Sequence, residues 1–207
     1  MSYKAKYLYT HKIYCKVKTL HRINQTVKVF NFTYFFQQKG AETVKIIFLD
    51  IDGVLKEDKQ GAPFLDVSLA LLETLVKKTG AKLVMSSTWK TKYKNFIDSG
   101  KTEFADIKRL FDTLKAHGLE IYDSTPLLKE TEKPLRRPAE IRAYLASTDN
   151  VDSFCIIDDR SEFEWAELES RLVLTFIGKD ENGEKVAHLT QAHAEKAERI
   201  LNEKQIK

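Results

Sequence analysis

The sequence has few cysteines and no long apolar run, and both absences exclude whole classes of protein. Two cysteines, Cys15 and Cys155, are too few for a disulfide scaffold and cannot form a zinc site alone. No apolar stretch approaches the ~18–20 residues that a membrane-spanning helix requires. The 207 residues are 43% hydrophobic, which suffices for a core and excludes a wholly disordered chain. We therefore expect one ordinary cytoplasmic domain with a short appendage and no membrane partner.

Acidic residues are almost absent from the first 45 residues, which hold nine Lys and Arg but only Glu42 as an acid. This arm lacks the apolar core of a secretory signal. With one Arg and one Ser it fits a mitochondrial transit peptide poorly. We predict that residues 1–44 form a basic, aromatic-rich extension and residues 45–207 the folded domain. A basic arm with many aromatic residues is also able to contact nucleic acid.

From residue 45 onward, short apolar runs alternate with amphipathic segments, and this alternation predicts the fold class. The predicted strands are Lys45–Asp50, Leu83–Ser86, Leu119–Tyr122, Phe154–Asp158 and Leu172–Phe176. The predicted helices are one capped by Asp66 and ending at Gly80, then Thr91–Asp98, Thr102–Ala116, Arg137–Ala146 entered through Pro138, Phe163–Glu169 and Gln191–Lys204. Alternating βαβ units imply an α/β fold, a three-layer Rossmann-like parallel sheet with helices on both faces.

Polar side chains stand at the predicted carboxyl ends of three strands, where ligands bind in sheets of this kind. They are Asp50 with Asp52, Ser86, and the Asp158–Asp159 pair, while Arg137 begins the helix that leads to the last strand. Carboxylates crowded in a partly desolvated pocket repel one another strongly. A hard divalent cation relieves that repulsion, and Mg²⁺ prefers carboxylate oxygens.

The order of these elements resembles the haloacid dehalogenase (HAD) superfamily of phosphohydrolases. Three of the four motifs of that family match IIFLDIDGVL, LVMSST and FCIIDD. The third motif of the family is a lone Lys or Arg; Arg137 fits it best, with Arg136 and Lys133 as alternatives. The resemblance covers about residues 45–205. A narrower resemblance, to small HAD domains associated with RNA-repair proteins, is carried by SSTW, RRPAEIRAYL and HLTQAHAEKAERIL.

The resemblance implies a Mg²⁺-dependent phosphomonoester hydrolase that works through an aspartyl-phosphate. Asp50 is then the nucleophile and Asp52 the general acid and base. Ser86 binds a phosphoryl oxygen, although Ser87 or Thr88 is able to replace it, and Arg137 neutralises the phosphoryl charge. The implied Mg²⁺ ligands are the side chain of Asp50, the backbone carbonyl of Asp52, and the side chains of Asp158 and Asp159; within the acid pair, Asp158 alone is an alternative to both.

HAD enzymes usually take specificity for small substrates from inserted cap domains, and this sequence leaves no room for one. Only residues 54–65 follow the first motif before the next helix, so we expect an essentially capless, open site. An open site favours bulky substrates, first nucleotides or RNA and DNA ends and second phosphoproteins. Basic side chains at Lys90, Lys92 and Lys94 are placed to contact a phosphate backbone. The alternatives are a nucleic-acid-binding accessory protein on a HAD scaffold, a protein phosphatase, and phosphoryl transfer to an acceptor other than water.

Overall fold

A computed structural model describes residues 43–59, 61–92 and 105–203, and in this part of the chain five strands form a parallel sheet. The predicted extension over residues 1–44 therefore lies almost wholly outside the described residues, as do Lys94 and most of the predicted helix Thr91–Asp98. The strands are β1 (Val44–Leu49), β2 (Lys82–Met85), β3 (Ile121–Ser124), β4 (Val151–Asp158) and β5 (Leu172–Leu174). Their order in the sheet is β3-β2-β1-β4-β5.

Helices cover both faces of this sheet, which confirms the predicted three-layer α/β fold. Side chains alternate along β1, so Ile47 and Leu49 join one buried cluster while Ile46 and Phe48 join the other. The helices are α1 (Asp66–Thr79), α2 (Ala105–Ala116), α3 (Lys133–Ala146), the 3₁₀ helix (Ala166–Arg171) and α4 (Gln191–Asn202). The first cluster includes residues of α1, α2 and α4, and the second those of α3 and the 3₁₀ helix.

Helix α3 begins four residues earlier than the sequence predicts. Pro134, and not Pro138, lies in its first turn, and Pro138 lies in its interior. A proline inside a helix leaves the carbonyl four residues earlier without its usual donor. Here that carbonyl belongs to Pro134, and the backbone N–H of Glu164 donates to it at 3.0 Å. The contact from outside the helix satisfies the carbonyl and lets α3 run on to Ala146.

Helix α1 also differs at its start. Asp66, predicted as its cap, is its first residue, and Leu65 occupies the cap position without a side-chain hydrogen bond. An acidic residue in the first turn still interacts favourably with the helix dipole. The predicted end is correct, because Gly80 adopts φ +67° and its N–H donates to the carbonyl of Val76.

The predicted strand Leu172–Phe176 is divided by the buried residue Thr175. After β5 the chain enters an antiparallel hairpin, β6 (Phe176–Lys179) and β7 (Lys185–Ala187), which the sequence analysis did not predict. The hydroxyl of Thr175 donates to the carbonyl of Gly53 at 2.8 Å, so the hairpin starts beside the end of β1. The predicted helix Phe163–Glu169 is instead the 3₁₀ helix.

Neither of the two places where a cap is usually inserted holds one. Residues 147–150 are all that separate α3 from β4, and residues 50–65, of which all but residue 60 are described, separate β1 from α1. In the described part of the chain, these short connections give the essentially capless architecture that the sequence predicts. Within the described ranges, no helix combines the length and the apolar character needed to cross a membrane.

Candidate active site

Three of the predicted site residues lie at one level of the sheet because the strands that carry them are neighbours in register. Leu49 is paired with Met85 on one side and with Ile157 on the other. The next residue on each strand is Asp50, Ser86 and Asp158 respectively. Backbone hydrogen bonds continue past the ends of the strands, from the N–H of Asp50 to the carbonyl of Ile157 and from the N–H of Ser86 to the carbonyl of Leu49, each 3.0 Å long.

Asp50 is held in place on both oxygens of its carboxylate. The side chain is buried, with the residue 3% exposed. Oδ1 accepts the backbone N–H of Ile51 at 2.8 Å, and Oδ2 accepts a short hydrogen bond from Nη1 of Arg137. The predicted nucleophile is therefore oriented by a backbone donor and a guanidinium at once.

Asp50, Asp158 and Asp159 form a buried carboxylate cluster in which one oxygen of each lies within 4.8 Å of the others. Asp158 accepts the N–H of Arg160 at 2.9 Å and a hydrogen bond from Arg137. Burial raises the pKa of Asp158 to about 7, against the opposing effect of the Arg137 charge. Burial also raises the pKa of Asp159. Both shifts reflect the cost of placing several negative charges in one desolvated volume.

The donor set of this carboxylate cluster fits a hard divalent cation. Neither carboxylate oxygen of Asp159 has a hydrogen-bond partner among the described residues. Two cations lie near these oxygens as ion pairs: the ammonium of Lys185 on β7 is 2.6 Å from Oδ2 of Asp159, and Nε of Arg160 is 3.6 Å from Oδ1. Buried carboxylate oxygens whose hydrogen bonds are not satisfied are ligands of the kind that Mg²⁺ takes. Asp50, Asp158 and Asp159 are thus the side chains able to hold the implied metal.

Of the three candidates for the third motif, Arg137, and not Arg136 or Lys133, forms ion pairs with this cluster. Its guanidinium is buried between Asp50 and Asp158 and lies 5.0 Å from the ring centre of Phe163. Burial alone would lower the pKa of Arg137, but the two carboxylates outweigh burial and raise it above its ordinary value. The guanidinium therefore stays charged.

Ser86 is buried, and its hydroxyl has no hydrogen-bond partner among the described residues. A buried hydroxyl without a partner costs free energy unless a ligand or water satisfies it. The residue lines a cleft of about 460 Å³ together with Arg137. The geometry suits a hydroxyl that donates to a bound anion.

The side chain of Asp52 lies outside the carboxylate cluster and is held by two donors. Its Oδ1 accepts from the ammonium of Lys56 at 2.7 Å and its Oδ2 from the indole N–H of Trp89 at 2.7 Å. Lys56 is almost fully buried and also donates to the carbonyls of Glu57 and Lys59. The Asp52 side chain remains 27% exposed, so it is oriented yet open to solvent.

Gly53 allows the acidic pair to approach the first motif closely. Its φ is +71°, and a Cβ at this position would lie 2.1 Å from Oδ2 of Asp159. Only a residue without a side chain fits such a contact. The glycine of the first motif is therefore required by packing against the fourth motif as well as by the turn.

The lysines predicted to contact a phosphate backbone behave differently from one another. Lys90 is buried, with its ammonium bonded to Glu140 and to the hydroxyl of Thr125 at 2.9 Å, so it is not placed to contact a phosphate backbone as the sequence suggests. Lys92 is exposed, 5.2 Å from the ring centre of Trp89 and 3.7 Å from Asp106.

Two partners of the candidate site were not found from the sequence. Lys56 lies four residues after Asp52, a spacing that in hindsight signals an ion pair. Lys185 carries no local signal, because its contact with Asp159 depends on the unpredicted hairpin.

The comparison with protein families fits this geometry. Residues 46–179 match the model of a family described as the HAD domain in Swiss Army Knife RNA repair proteins. The match runs from β1 to the end of β6 and includes all four motifs. No curated protein matches the chain.

Proposed function

The chain belongs to the family of HAD domains in Swiss Army Knife RNA repair proteins, and we propose from this membership that it is a Mg²⁺-dependent phosphomonoester hydrolase. The observation that carries the proposal is the buried cluster of Asp50, Asp158 and Asp159, with Arg137 between the first two. A structural ion pair between Arg137 and two carboxylates does not need a third buried carboxylate beside them, yet Asp159 lies there with no hydrogen-bond partner for its oxygens among the described residues.

In the proposed reaction a carboxylate oxygen of Asp50 attacks the phosphorus atom and the bond to the leaving oxygen breaks. Asp52 gives its proton to that oxygen, so the alcohol leaves neutral. Water then attacks the phosphorus of the aspartyl-phosphate, Asp52 takes a proton from the water, and inorganic phosphate leaves as Asp50 is regenerated. Dividing the hydrolysis into two displacements lowers the barrier of a reaction that is extremely slow without a catalyst.

The remaining residues bind and balance charge. Asp50, Asp158 and Asp159 would hold Mg²⁺, with the backbone carbonyl of Asp52 as a further ligand. When bound, the ion supplies positive charge that offsets the repulsion between carboxylate nucleophile and phosphate. The Ser86 hydroxyl donates to a phosphoryl oxygen. Arg137 is charged and lies beside the nucleophile, so it neutralises the phosphoryl charge during transfer.

Nucleotides or the phosphorylated ends of RNA and DNA are the proposed substrates. Two features support this class: the absence of a cap at either usual position, which leaves room for a macromolecule, and the description of the matched family as part of RNA repair proteins. The competing substrates are phosphoproteins. The competing reaction is transfer of the phosphoryl group to an acceptor other than water.

The experiment compares phosphate release from an aryl phosphate by the wild type and by Asp50→Asn, with Mg²⁺ and with a chelator. We expect release that requires Mg²⁺ and falls by at least about a thousandfold in the variant, because the nucleophile is lost. Asp123→Asn is the matched control, since Asp123 stands in β3 but outside the carboxylate cluster. Retained activity in Asp50→Asn would refute the nucleophile. Absence of turnover on aryl, nucleotide and nucleic-acid phosphates would favour the accessory binding protein.

A further inference from the structure

Lys133 and Arg136, the other two candidates for the third motif, line a surface next to Arg137. Lys133 and Arg136 join Lys129 on one wall of the 460 Å³ cleft that contains Ser86 and Arg137. Leu127 and Phe163 add apolar surface to the same cleft, and Thr88 and Thr91 line it from the loop after β2.

The charges of these three side chains are not neutralised within the described ranges. The guanidinium of Arg136 donates only to backbone carbonyls, those of Thr131 at 2.9 Å and Lys129 at 3.1 Å. No described carboxylate forms an ion pair with Lys129, Lys133 or Arg136, whereas Arg137 is paired with two. The wall therefore presents three cations to any ligand in the cleft.

The backbone that carries this wall is held before a ligand binds. Arg136 ties the turn at residues 129–131 to α3 through its two hydrogen bonds. The N–H of Leu128 donates to Oε1 of Glu140 at 3.0 Å, and Glu140 is held in turn by Lys90. Because this backbone is already ordered, ligand binding has to order only the side chains of the two lysines.

We propose that Lys129, Lys133 and Arg136 form a subsite for a second phosphate group of the substrate, beside the phosphoryl group held by Ser86 and Arg137. This inference rests on the proposed function and names a feature of its substrate. A cleft of about 460 Å³ falls within the range of sites for whole small molecules rather than single anions. Leu127 and Phe163 leave an uncharged surface for the part of the substrate that joins the two phosphates.

The test measures binding in an Asp50→Asn background, so that no ligand is consumed. Calorimetric titration with Mg²⁺ present compares adenosine 3′,5′-bisphosphate with adenosine 5′-monophosphate and adenosine 3′-monophosphate. A second arm uses a 5′-phosphorylated dinucleotide, in which the second phosphate is a diester. We expect the better two-phosphate ligand to bind about tenfold more tightly than the monophosphates, since exposed charge contacts are individually weak and only several together give such a gain.

The variant Lys129→Gln/Lys133→Gln should reduce that advantage to about twofold or less. Arg136 is left intact because it ties down the turn. The matched control Lys82→Gln/Lys115→Gln removes the same charge from the amino end of β2 and the last turn of α2, and should keep the advantage. A gain confined to the dinucleotide identifies the second phosphate as a diester; a gain confined to the bisphosphate identifies a terminal phosphate.

Equal affinity for one and two phosphates, an advantage that survives Lys129→Gln/Lys133→Gln, or no binding of any of these ligands would each overturn the subsite. The fate of the proposed function is read separately, from phosphate release by the chain with Asp50 intact. Binding that depends on the two lysines, without any turnover, would support the subsite and contradict the proposed hydrolase. Turnover without lysine-dependent binding would support the hydrolase and contradict the subsite.

Discussion

Replacing Trp89 by Phe should separate the role of Asp52 in proton transfer from its role in the fold. The substitution keeps an aromatic ring in the core and removes the indole N–H that donates to Oδ2 of Asp52 at 2.7 Å. The ammonium of Lys56 still holds Oδ1. The carboxylate is then fixed at one oxygen only and is free to rotate about that contact.

The structure sets the size of the expected effect. A hydrogen bond to a charged group contributes ~1.5–3 kcal/mol, and each 1.36 kcal/mol of barrier is a factor of ten in rate. Loss of the Trp89 bond should therefore slow proton donation by about tenfold to a few hundredfold. An alkyl phosphate needs that proton because its leaving alkoxide is a strong base. A nitrophenyl phosphate hardly needs it, and its hydrolysis should fall by less than about threefold.

The assay is kcat/KM for an alkyl and a nitrophenyl phosphate in the wild type, Trp89→Phe and Trp165→Phe. Trp165 is the matched control, because it is also buried and its indole N–H donates to a backbone carbonyl, that of Arg160, at 2.9 Å. We expect the ratio of the two substrates to change only in Trp89→Phe. An equal loss on both substrates, or the same change in both variants, would refute Asp52 as a general acid oriented by Trp89.

Three further predictions concern stability and reactivity. Gly53→Ala should lower the free energy of unfolding by about 1–2 kcal/mol through its positive φ alone, and by more through collision with Asp159, as measured by urea denaturation. Burial raises the pKa of the Cys155 thiol, so in a Cys15→Ser chain a thiol-specific disulfide reagent at pH 8 should react only after unfolding; native reaction would contradict this. Burial lowers the pKa of His193, so its contribution to stability should be present above about pH 6.5 and decrease as the pH falls below that value. His193→Gln keeps a capping-box residue and should flatten that pH dependence of urea denaturation; an unchanged profile would count against the assignment.

The acidic end of the site could be predicted because its signals are local. The apolar runs before Asp50 and Asp158 are long enough to identify buried strands, and an acid directly after such a strand has to lie at its carboxyl end. Neighbouring parallel strands then bring the acids together, as the pairing of β1 with β4 does. No contact distant in sequence had to be known in advance.

The cation of the third motif could be predicted only in part, because three basic residues lie close together at the start of α3. Successive residues of a helix point about 100° apart, so the sequence cannot decide which of Lys133, Arg136 and Arg137 faces the carboxylates. That choice depends on how α3 packs, and contacts such as the hydrogen bond from the N–H of Glu164 to the carbonyl of Pro134 join residues distant in sequence. The proline that suggested a helix start instead lies in the second turn.

The hairpin of β6 and β7 was missed for a different reason. Its strands lack the alternation of buried and exposed side chains, since the successive residues Phe176 and Ile177 are 38% and 51% exposed. The contact it makes with the site, between Lys185 and Asp159, is therefore invisible in the local pattern.

The arrangement of charge explains how a divalent ion would complete this site. Three carboxylates face three cations, because Arg137 and Lys185 are joined by Arg160, whose Nε lies 3.6 Å from Oδ1 of Asp159. These cations are taken up by the carboxylates, so they leave no excess positive charge for a phosphate monoester, which brings up to two more negative charges. A divalent cation would add two positive charges at the carboxylates themselves and would make the cluster attractive to phosphate.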